Sequence, residues 1–237
     1  MLKLEHLYKT FNPGTVNEKR ALSDLNLHLK EGEFLTVIGG NDVTRLPEHK
    51  RAAFIGRVFQ DPMMGTAPTM QIDENLALAA RRGEPRGLKW GISREEKELY
   101  HEKLKELGLG LEDRMSSKVG LLSGGQRQAL TLLMASLKRP QLLLLDEHTA
   151  ALDPATAAKV LEISDRIVTE NGLTCMMITH NMKDAIKHGC RLIMMNEGKI
   201  ILDIAGEEKK QLTKKDLLDR FAALSGTQEE TDSVLLS

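Results

Sequence analysis

Three short apolar runs, separated by segments with helical patterns, constrain the fold of this chain more than any other feature of its sequence. The runs are Phe34–Ile38, residues 142–145 and Cys175–Ile178, and polar side chains barely interrupt them. A strand with one face in water would alternate apolar and polar residues, so such runs are typical of parallel strands covered by helices on both faces. The sequence therefore predicts an α/β fold with a buried sheet.

Other segments follow different periods. Residues 2–7 and 25–29 alternate apolar and polar side chains, which predicts a small antiparallel β layer. Two apolar halves of residues 191–203 flank Asn196, Glu197 and Gly198, which is a hairpin pattern. Helices are predicted at residues 73–82, 93–107, 125–139, 154–170 and 214–224.

Residues 61–140 show helical patterns and no convincing strand. We interpret this stretch as a helical subdomain inserted into the α/β core, whose two parts are residues 1–60 and 141–203, with a helical tail over residues 204–237. No internal repeat, low-complexity tract or flexible linker is visible, which disfavours a tandem architecture.

Composition excludes several function classes. The chain has 33 Lys and Arg against 34 Asp and Glu, so no overall field attracts nucleic acid or an anionic membrane. No apolar run approaches the roughly 18 residues that span a bilayer, and residues 1–5 do not start a secretory signal, so we expect a cytoplasmic protein. Cys175 and Cys190 are expected to be reduced thiols.

Asp146 and Glu147 follow directly after the apolar run 142–145. They are therefore expected at the carboxyl end of a buried strand, where open α/β sheets bind ligands. In phosphate-hydrolysing folds the first carboxylate of such a pair holds Mg²⁺ and the second orients or deprotonates the attacking water. An acidic pair alone is equally compatible with a solvated strand end.

A second pattern is Leu-Ser-Gly-Gly-Gln at residues 122–126, at the start of a predicted helix. A helix N-terminus with a hydroxyl and free backbone N–H groups attracts anions, although Ser-Gly-Gly alone is also an ordinary helix cap. The whole pentapeptide, followed by Arg127 and Gln128 and about twenty residues before the acidic pair, closely resembles the signature motif of ABC ATPases. This resemblance extends over nearly the whole chain, from about Leu2 to Asp203.

The family's remaining motifs follow in order. Gln60 resembles the Q-loop glutamine, which reaches the metal and the attacking water. Asp153 resembles the D-loop aspartate at the dimer interface, and before Pro154 it can also be a helix cap. His180 resembles the switch histidine that contacts the terminal phosphate. Phe11 matches the aromatic that stacks on adenine, with Tyr8 a weaker candidate; taken alone, Gln60, His180 and Phe11 would be ordinary loop, structural and core residues.

The resemblance implies an ABC-type P-loop NTPase fold and an ATP-binding transporter subunit that uses ATP and Mg²⁺. The implied catalytic residues are Glu147, His180 and Gln60; the implied nucleotide-binding residues are Phe11, Ser123, Gly124, Gly125, Gln126 and Asp153; the implied metal ligands are Asp146 and Gln60. It also implies a homodimer or a pair with a paralogous ATPase, integral-membrane permease subunits that hold the chain at the inner face of the membrane, and a solute-binding protein. Residues 55–62, 121–135 and 146–150 look closest to bacterial importer-type ATPases.

One motif of the family is missing. After Gly39 the chain continues through Gly40 to Arg45 without the glycine-rich turn that ends in Gly-Lys-Ser or Gly-Lys-Thr, and Lys50 lacks the glycine frame. As written, the chain should not be an efficient ATPase, because losing even one preorganised donor costs about 10² to 10³ in rate.

Two explanations compete for the missing loop. A true deletion would expose apolar strand faces, so we favour a natural chain that carries the loop and its helix. In that case the loop and its helix lie between Gly39 and Gly40, and these two residues should be much farther apart than one peptide bond allows. The alternative is a non-hydrolysing subunit that completes a partner's ATP site. Chromosome-maintenance and translation-factor ATPases are disfavoured, because they need a long coiled coil and two tandem domains respectively.

Overall fold

The computed structural model describes residues 2–11, 13–14, 18–38, 54–84 and 91–225. The chain forms two compact units, the first from Met1–Arg45 and Thr174–Ser237 and the second from Leu46–Leu173. The strands are β1 Leu2–Phe11, β2 Lys19–Leu29, β3 Phe34–Ile38, β4 Ile55–Val58, β5 Leu142–Asp146, β6 Cys175–Ile178, β7 Arg191–Asn196 and β8 Lys199–Ala205. The helices are α1 Ile72–Ala80, α2 Arg94–Lys105, α3 Gly124–Leu137, α4 Pro154–Glu170, α5 Met182–Lys187, α6 Gly206–Lys210 and α7 Lys214–Ser225, with 3₁₀ turns at Glu112–Arg114 and Val119–Leu121.

The first unit combines an antiparallel pair with a mixed sheet. β1 pairs with β2 antiparallel, from Leu2 opposite Leu29 to Phe11 opposite Lys19. β3 lies between β6 and β7 and is parallel to both, whereas β8 returns antiparallel to β7. The alternating segments are thus antiparallel strands and two of the apolar runs are parallel strands, as their patterns predict.

A tight hairpin joins β7 to β8. Glu197 and Gly198 both have positive φ, 45° and 75°, as a two-residue type I′ turn requires. The turn packs against β2, because the Gly198 carbonyl accepts a hydrogen bond from the Ser23 N–H at 2.9 Å. A Cβ on Gly198 would lie 2.4 Å from the Ala21 carbonyl oxygen, so both the φ angle and the close approach require glycine here.

Short helices cover the hairpin side of this sheet. Apolar residues of β7, β8, α5 and α7 form one buried cluster, and Leu217 and Phe221 supply the face of α7 that enters it. This amphipathic face explains why the C-terminal helix forms: burial against the sheet stabilises a helix that would be marginal alone. The buried members are Met182, Ala185, Leu192, Met194, Ile204, Leu212, Leu217 and Phe221.

The second unit is built around α3. This helix contacts α1, α4 and β4, and its middle residues Leu130 and Leu132 are fully buried. β4 and β5 pair in parallel, with Ile55 opposite Leu142 and Val58 opposite Leu145. The third apolar run is therefore also a parallel strand.

Each predicted helix forms within a few residues of its predicted bounds, and α4 spans the predicted residues. Sequence patterns missed β4, α5 and α6. β4 contains Gly56 and Arg57, which break its apolar pattern, and the two helices have only six and five residues, too few to show a period. The predicted discontinuity between Gly39 and Gly40 lies outside the described residues.

Candidate functional site

Strands β4 and β5 place three predicted site residues at one edge of the second unit. Val58 and Leu145 are opposite each other in a parallel pair, so the chain leaves both strands at the same edge. Gln60 follows β4 by two residues and is exposed, whereas Asp146 ends β5 and Glu147 follows it. The structure thus brings together the residues expected to hold metal and water.

Asp146 is paired with a cation that no sequence motif indicates. The Nη2 atom of Arg57 lies 2.8 Å from Oδ2 of Asp146, and the guanidinium also stacks 4.6 Å from the centre of the Phe59 ring. In the sequence, Arg57 stands out only as the single charged residue of β4, a short strand that ends two residues before Gln60. Its partner could not be read from the sequence, because Arg57 and Asp146 are far apart along the chain.

The backbone at Glu147 has an uncommon conformation. Glu147 has φ of 43°, a left-handed conformation that non-glycine residues adopt only when the surroundings hold it. Its carbonyl accepts a hydrogen bond from the Ala150 N–H at 2.9 Å, which closes a turn. The next residue, His148, is buried, and its Nε2 lies 2.9 Å from Oγ of Ser164 on α4. This contact attaches the Glu147 turn to the helix behind it.

The signature residues form the N-terminus of α3. The Ser123 hydroxyl accepts a hydrogen bond from the Gln126 N–H at 3.3 Å, and Oε1 of Gln126 accepts one from the Ser123 N–H at 3.2 Å. This reciprocal pair is a capping box, which explains why a helix begins at this sequence. Ser123 and Gly124 are exposed and Gly125 is buried.

Asp153 lies at the start of the neighbouring helix. Its Oδ1 accepts a hydrogen bond from the Thr156 N–H at 3.1 Å, and the interactions with Thr156 hold the pKa of Asp153 below its ordinary range. Gly125 packs so closely on this helix that a Cβ would lie 2.1 Å from Cγ2 of Thr156. The structure therefore places the signature turn and the Asp153 turn side by side.

Two residues that complete the signature motif have roles that the sequence did not reveal. Arg127 is buried and its Nη2 donates to the carbonyl oxygens of Val119, Gly120 and Leu122 at 3.2, 3.1 and 3.4 Å, which holds the turn before Ser123. Gln128 is fully buried and its Nε2 donates to the Phe59 carbonyl at 3.0 Å. The helix that carries the signature is thereby bonded to the residue before Gln60.

The remaining predicted site residues lie in the first unit. His180 is exposed and follows β6, directly before Asn181, which caps α5. Phe11 ends β1 and is 38% exposed, and Lys9 Nζ lies 4.9 Å from its ring centre. Tyr8 is more exposed, at 59%. Phe11 is therefore a surface aromatic rather than a core residue, as stacking on a ligand requires.

The donors at the strand edge fit Mg²⁺ chemically. Mg²⁺ is usually bound through one or two protein carboxylates together with substrate phosphates and water, and Asp146 with the exposed Gln60 amide offers such an incomplete oxygen set. Within the described ranges no three or more His, Cys, Asp or Glu side chains lie together so that they could hold a metal ion. No helix in the described part of the chain is long and apolar enough to cross a membrane.

Comparisons with known proteins identify the class. The sequence profile of the ABC transporter family matches residues 27–150. A tyrosine transport ATP-binding protein of Clostridioides difficile is 39% identical over 249 residues, covering 93% of this chain and 98% of the relative. The carnitine transport ATP-binding protein OpuCA of Listeria monocytogenes is 32% identical over 85% of this chain, which spans 54% of that relative. The dimeric ATP-binding cassette MJ0796, solved in a post-hydrolysis state with ADP and Pi, is 27% identical with a TM-score of 0.69, covering 86% of this chain and 98% of the neighbour.

The fold and these comparisons define an ATP-binding cassette of the α/β class that the sequence predicts. This chain belongs to the ABC transporter family and is an ATP-binding subunit of such a transporter. The predicted roles of the individual site residues remain predictions.

Proposed function

We propose that this chain hydrolyses Mg²⁺-ATP at the inner face of the cell membrane and couples it to solute transport by integral-membrane permease subunits. The observation that carries the proposal is the common edge of β4 and β5, where Gln60, Asp146 and Glu147 lie at or just beyond the carboxyl ends of two paired parallel strands. Relatives named for tyrosine and carnitine transport support a small organic solute. The proposal includes a solute-binding protein that delivers this solute.

In the proposed reaction Glu147 orients the attacking water and accepts its proton, because its carboxylate follows the strand end at which the phosphates bind. Asp146 and the Gln60 amide would hold Mg²⁺, which would neutralise the charge that spreads over the transferred phosphoryl group. His180 donates a hydrogen bond to the terminal phosphate, and Phe11 stacks on the adenine ring.

The signature turn acts on a second subunit's nucleotide. The first N–H groups of a helix have no partner within the helix and favour anions, and the capping box leaves those of Gly124 and Gly125 to face a phosphate. Ser123 and Asp153 are exposed and lie on neighbouring turns, so one surface can present both to a partner. The partner is a second copy or a paralogous ATPase, and the dimeric cassette neighbour supports this arrangement.

A second candidate function follows from the missing phosphate loop. Residues 39–45 contain no lysine, so a chain with this sequence could be a non-hydrolysing subunit that only completes its partner's site. The alignment with the tyrosine-transport relative extends over 249 positions although this chain has 237 residues, so the relative has residues that this chain lacks. We infer that these extra residues include the phosphate loop of the hydrolytic form.

The test compares two versions of the chain, one as it stands and one with the relative's corresponding segment inserted after Gly39. We expect the second to bind radiolabelled ATP and release phosphate, and its Glu147→Gln variant to bind ATP with phosphate release lowered by about 10²-fold or more. The trapped variant should elute as an ATP-dependent dimer in size-exclusion chromatography. Hydrolysis by Glu147→Gln at the parent rate would contradict the role of Glu147, and absence of hydrolysis from both versions would favour the non-hydrolysing subunit.

A further inference from the structure

Arg57 lies where it can control access to the metal carboxylate. It is opposite Leu144 in the β4–β5 pair, and Leu144 and Asp146 share one face of β5, so the register directs Arg57 toward Asp146. Their side chains are 28% and 35% exposed, and Nη2 of Arg57 is 2.8 Å from Oδ2 of Asp146. The ion pair therefore occupies the carboxylate through which this family is expected to bind Mg²⁺.

The guanidinium has a second binding partner. Its centre lies 4.6 Å from the centre of the Phe59 ring, a favourable cation–π distance. A salt bridge that only ties two strands together needs no such ring. The stacking gives Arg57 a place to remain when it no longer bonds Asp146.

Electrostatics makes the two cations compete. The Asp146 carboxylate has lone pairs for both a guanidinium N–H and a metal, but two positive groups a few ångströms apart repel each other. Metal binding at Asp146 therefore has to overcome the charge of Arg57, and it is favoured when Arg57 moves away from Oδ2.

We propose that Arg57 is a built-in counter-ion of Asp146, which competes with divalent metal for this carboxylate and rests on Phe59 when the metal binds. This proposal rests on the proposed role of Asp146 as a metal ligand. Arg57 thereby sets the metal concentration that the site requires.

The consequence reaches the Q-loop residue through short contacts. Phe59 directly precedes Gln60, and its carbonyl accepts the 3.0 Å hydrogen bond from Gln128 on the signature helix. Moving the Arg57 guanidinium therefore changes the contacts of the Phe59 ring, and Phe59 is the neighbour of Gln60, the predicted metal ligand. Arg57 is a positioning residue, because it acts through Asp146.

The experiment uses the full chain with the relative's segment inserted after Gly39 and measures Mn²⁺ binding by electron paramagnetic resonance. A non-hydrolysable ATP analogue is present, because substrate phosphates complete the oxygen set around Asp146. Arg57→Met keeps the aliphatic stem and removes the charge, and Arg57→Lys keeps a charge without the planar stack. Arg94→Met is the matched control, because it removes an exposed arginine, 89% accessible, from the same unit. Asp146→Asn, alone and combined with Arg57→Met, identifies the Asp146 site, and circular dichroism verifies that each variant is folded.

We expect Arg57→Met to lower the Mn²⁺ concentration for half-saturation about tenfold, because one opposing charge is removed from a mostly buried site. Arg57→Lys should lie between wild type and Arg57→Met, Arg94→Met should match wild type, and Asp146→Asn should abolish the gain. If Mn²⁺ binding depends on Asp146 but its half-saturation concentration is the same in Arg57→Met as in wild type, the counter-ion role is overturned and the metal site stands. Absence of any Asp146-dependent Mn²⁺ binding would overturn both this role and the proposed metal site.

Discussion

At the scale of single residues, Arg191 connects three segments of the first unit. Its Nε and Nη2 bond the two carboxylate oxygens of Asp203 at 2.8 and 2.7 Å, and its Nη1 donates to the His28 carbonyl at 2.8 Å. Glu33 adds an ion pair at 3.3 Å. The hydrogen bond with Asp203 raises the pKa of Arg191, so the guanidinium is charged at all ordinary pH values.

We predict that Arg191→Met destabilises the protein by about 2 kcal/mol, because it leaves the mostly buried Glu33 carboxylate without its cation. Urea unfolding followed by circular dichroism measures the change. Arg220→Met is the control, since the Arg220–Glu208 pair is more exposed and its loss should cost less than about 1 kcal/mol. Equal losses in the free energy of unfolding for the two substitutions would show that the Arg191 network stabilises the fold no more than an exposed ion pair.

At the scale of elements, the beginning of α4 depends on an ionised side chain. Hydrogen bonds from Thr156 lower the pKa of Asp153 from its ordinary value of 3.8. A carboxylate whose pKa is lower in the folded state adds stability above the unfolded pKa, and this contribution is lost as pH falls through the folded pKa. The cap should therefore be fully effective at neutral pH and fade below about pH 4.

We predict that Asp153→Ala lowers the melting temperature at pH 7 by about 2–4 °C, and that the difference from wild type shrinks as pH falls below 4. Thermal unfolding from pH 7 to pH 3 measures it. Asp153→Asn keeps a capping oxygen that does not titrate, so its difference from wild type should depend on pH while its helix stays capped. If the melting temperature of Asp153→Ala differed from that of wild type by the same amount at every pH, the ionised form of Asp153 would not be what stabilises the helix start.

At the scale of the whole molecule, the proposed interface predicts a specific defect. Ser123→Arg should block transport with little effect on ATP binding by the isolated subunit, because a bulky cation would stand where the partner's nucleotide closes the dimer. Uptake of solute by cells carrying the transporter measures the first quantity and radiolabelled ATP binding the second. A fully active Ser123→Arg transporter would exclude this interface.

Ser123 is also the cap of α3, so the substitution needs a control that separates the two effects. Ser123→Ala removes the hydroxyl that accepts from Gln126 but adds no bulk, and should cost about 1 kcal/mol of stability. Ser123→Thr keeps the capping oxygen and should stay close to wild type. If Ser123→Ala blocked transport as completely as Ser123→Arg, loss of the hydroxyl, as helix cap or as nucleotide contact, would explain the defect and the steric argument would fail.

Local patterns along the sequence predicted much of this molecule. Unbroken apolar runs indicate buried parallel strands because such strands contact helices on both faces, and the run 142–145 is one of them. Residues 122–126 predict a helix start because a serine and a glutamine three residues later cap each other. These features depend on neighbours within a few residues, so the sequence contains all the information that they need.

Tertiary structure alone decided which distant groups meet. Arg57 and Asp146 approach within 2.8 Å because two strands pair in one register, and Gln128 reaches Phe59 because α3 packs on the chain before Gln60. The same holds for Gly125, whose missing side chain leaves room for Thr156 on another helix. The sequence by itself determined the class of protein and its motifs. Long-range packing decided the ion-pair partner of Asp146 and the attachment of the signature helix, because no local pattern encodes the partner of a side chain across a sheet.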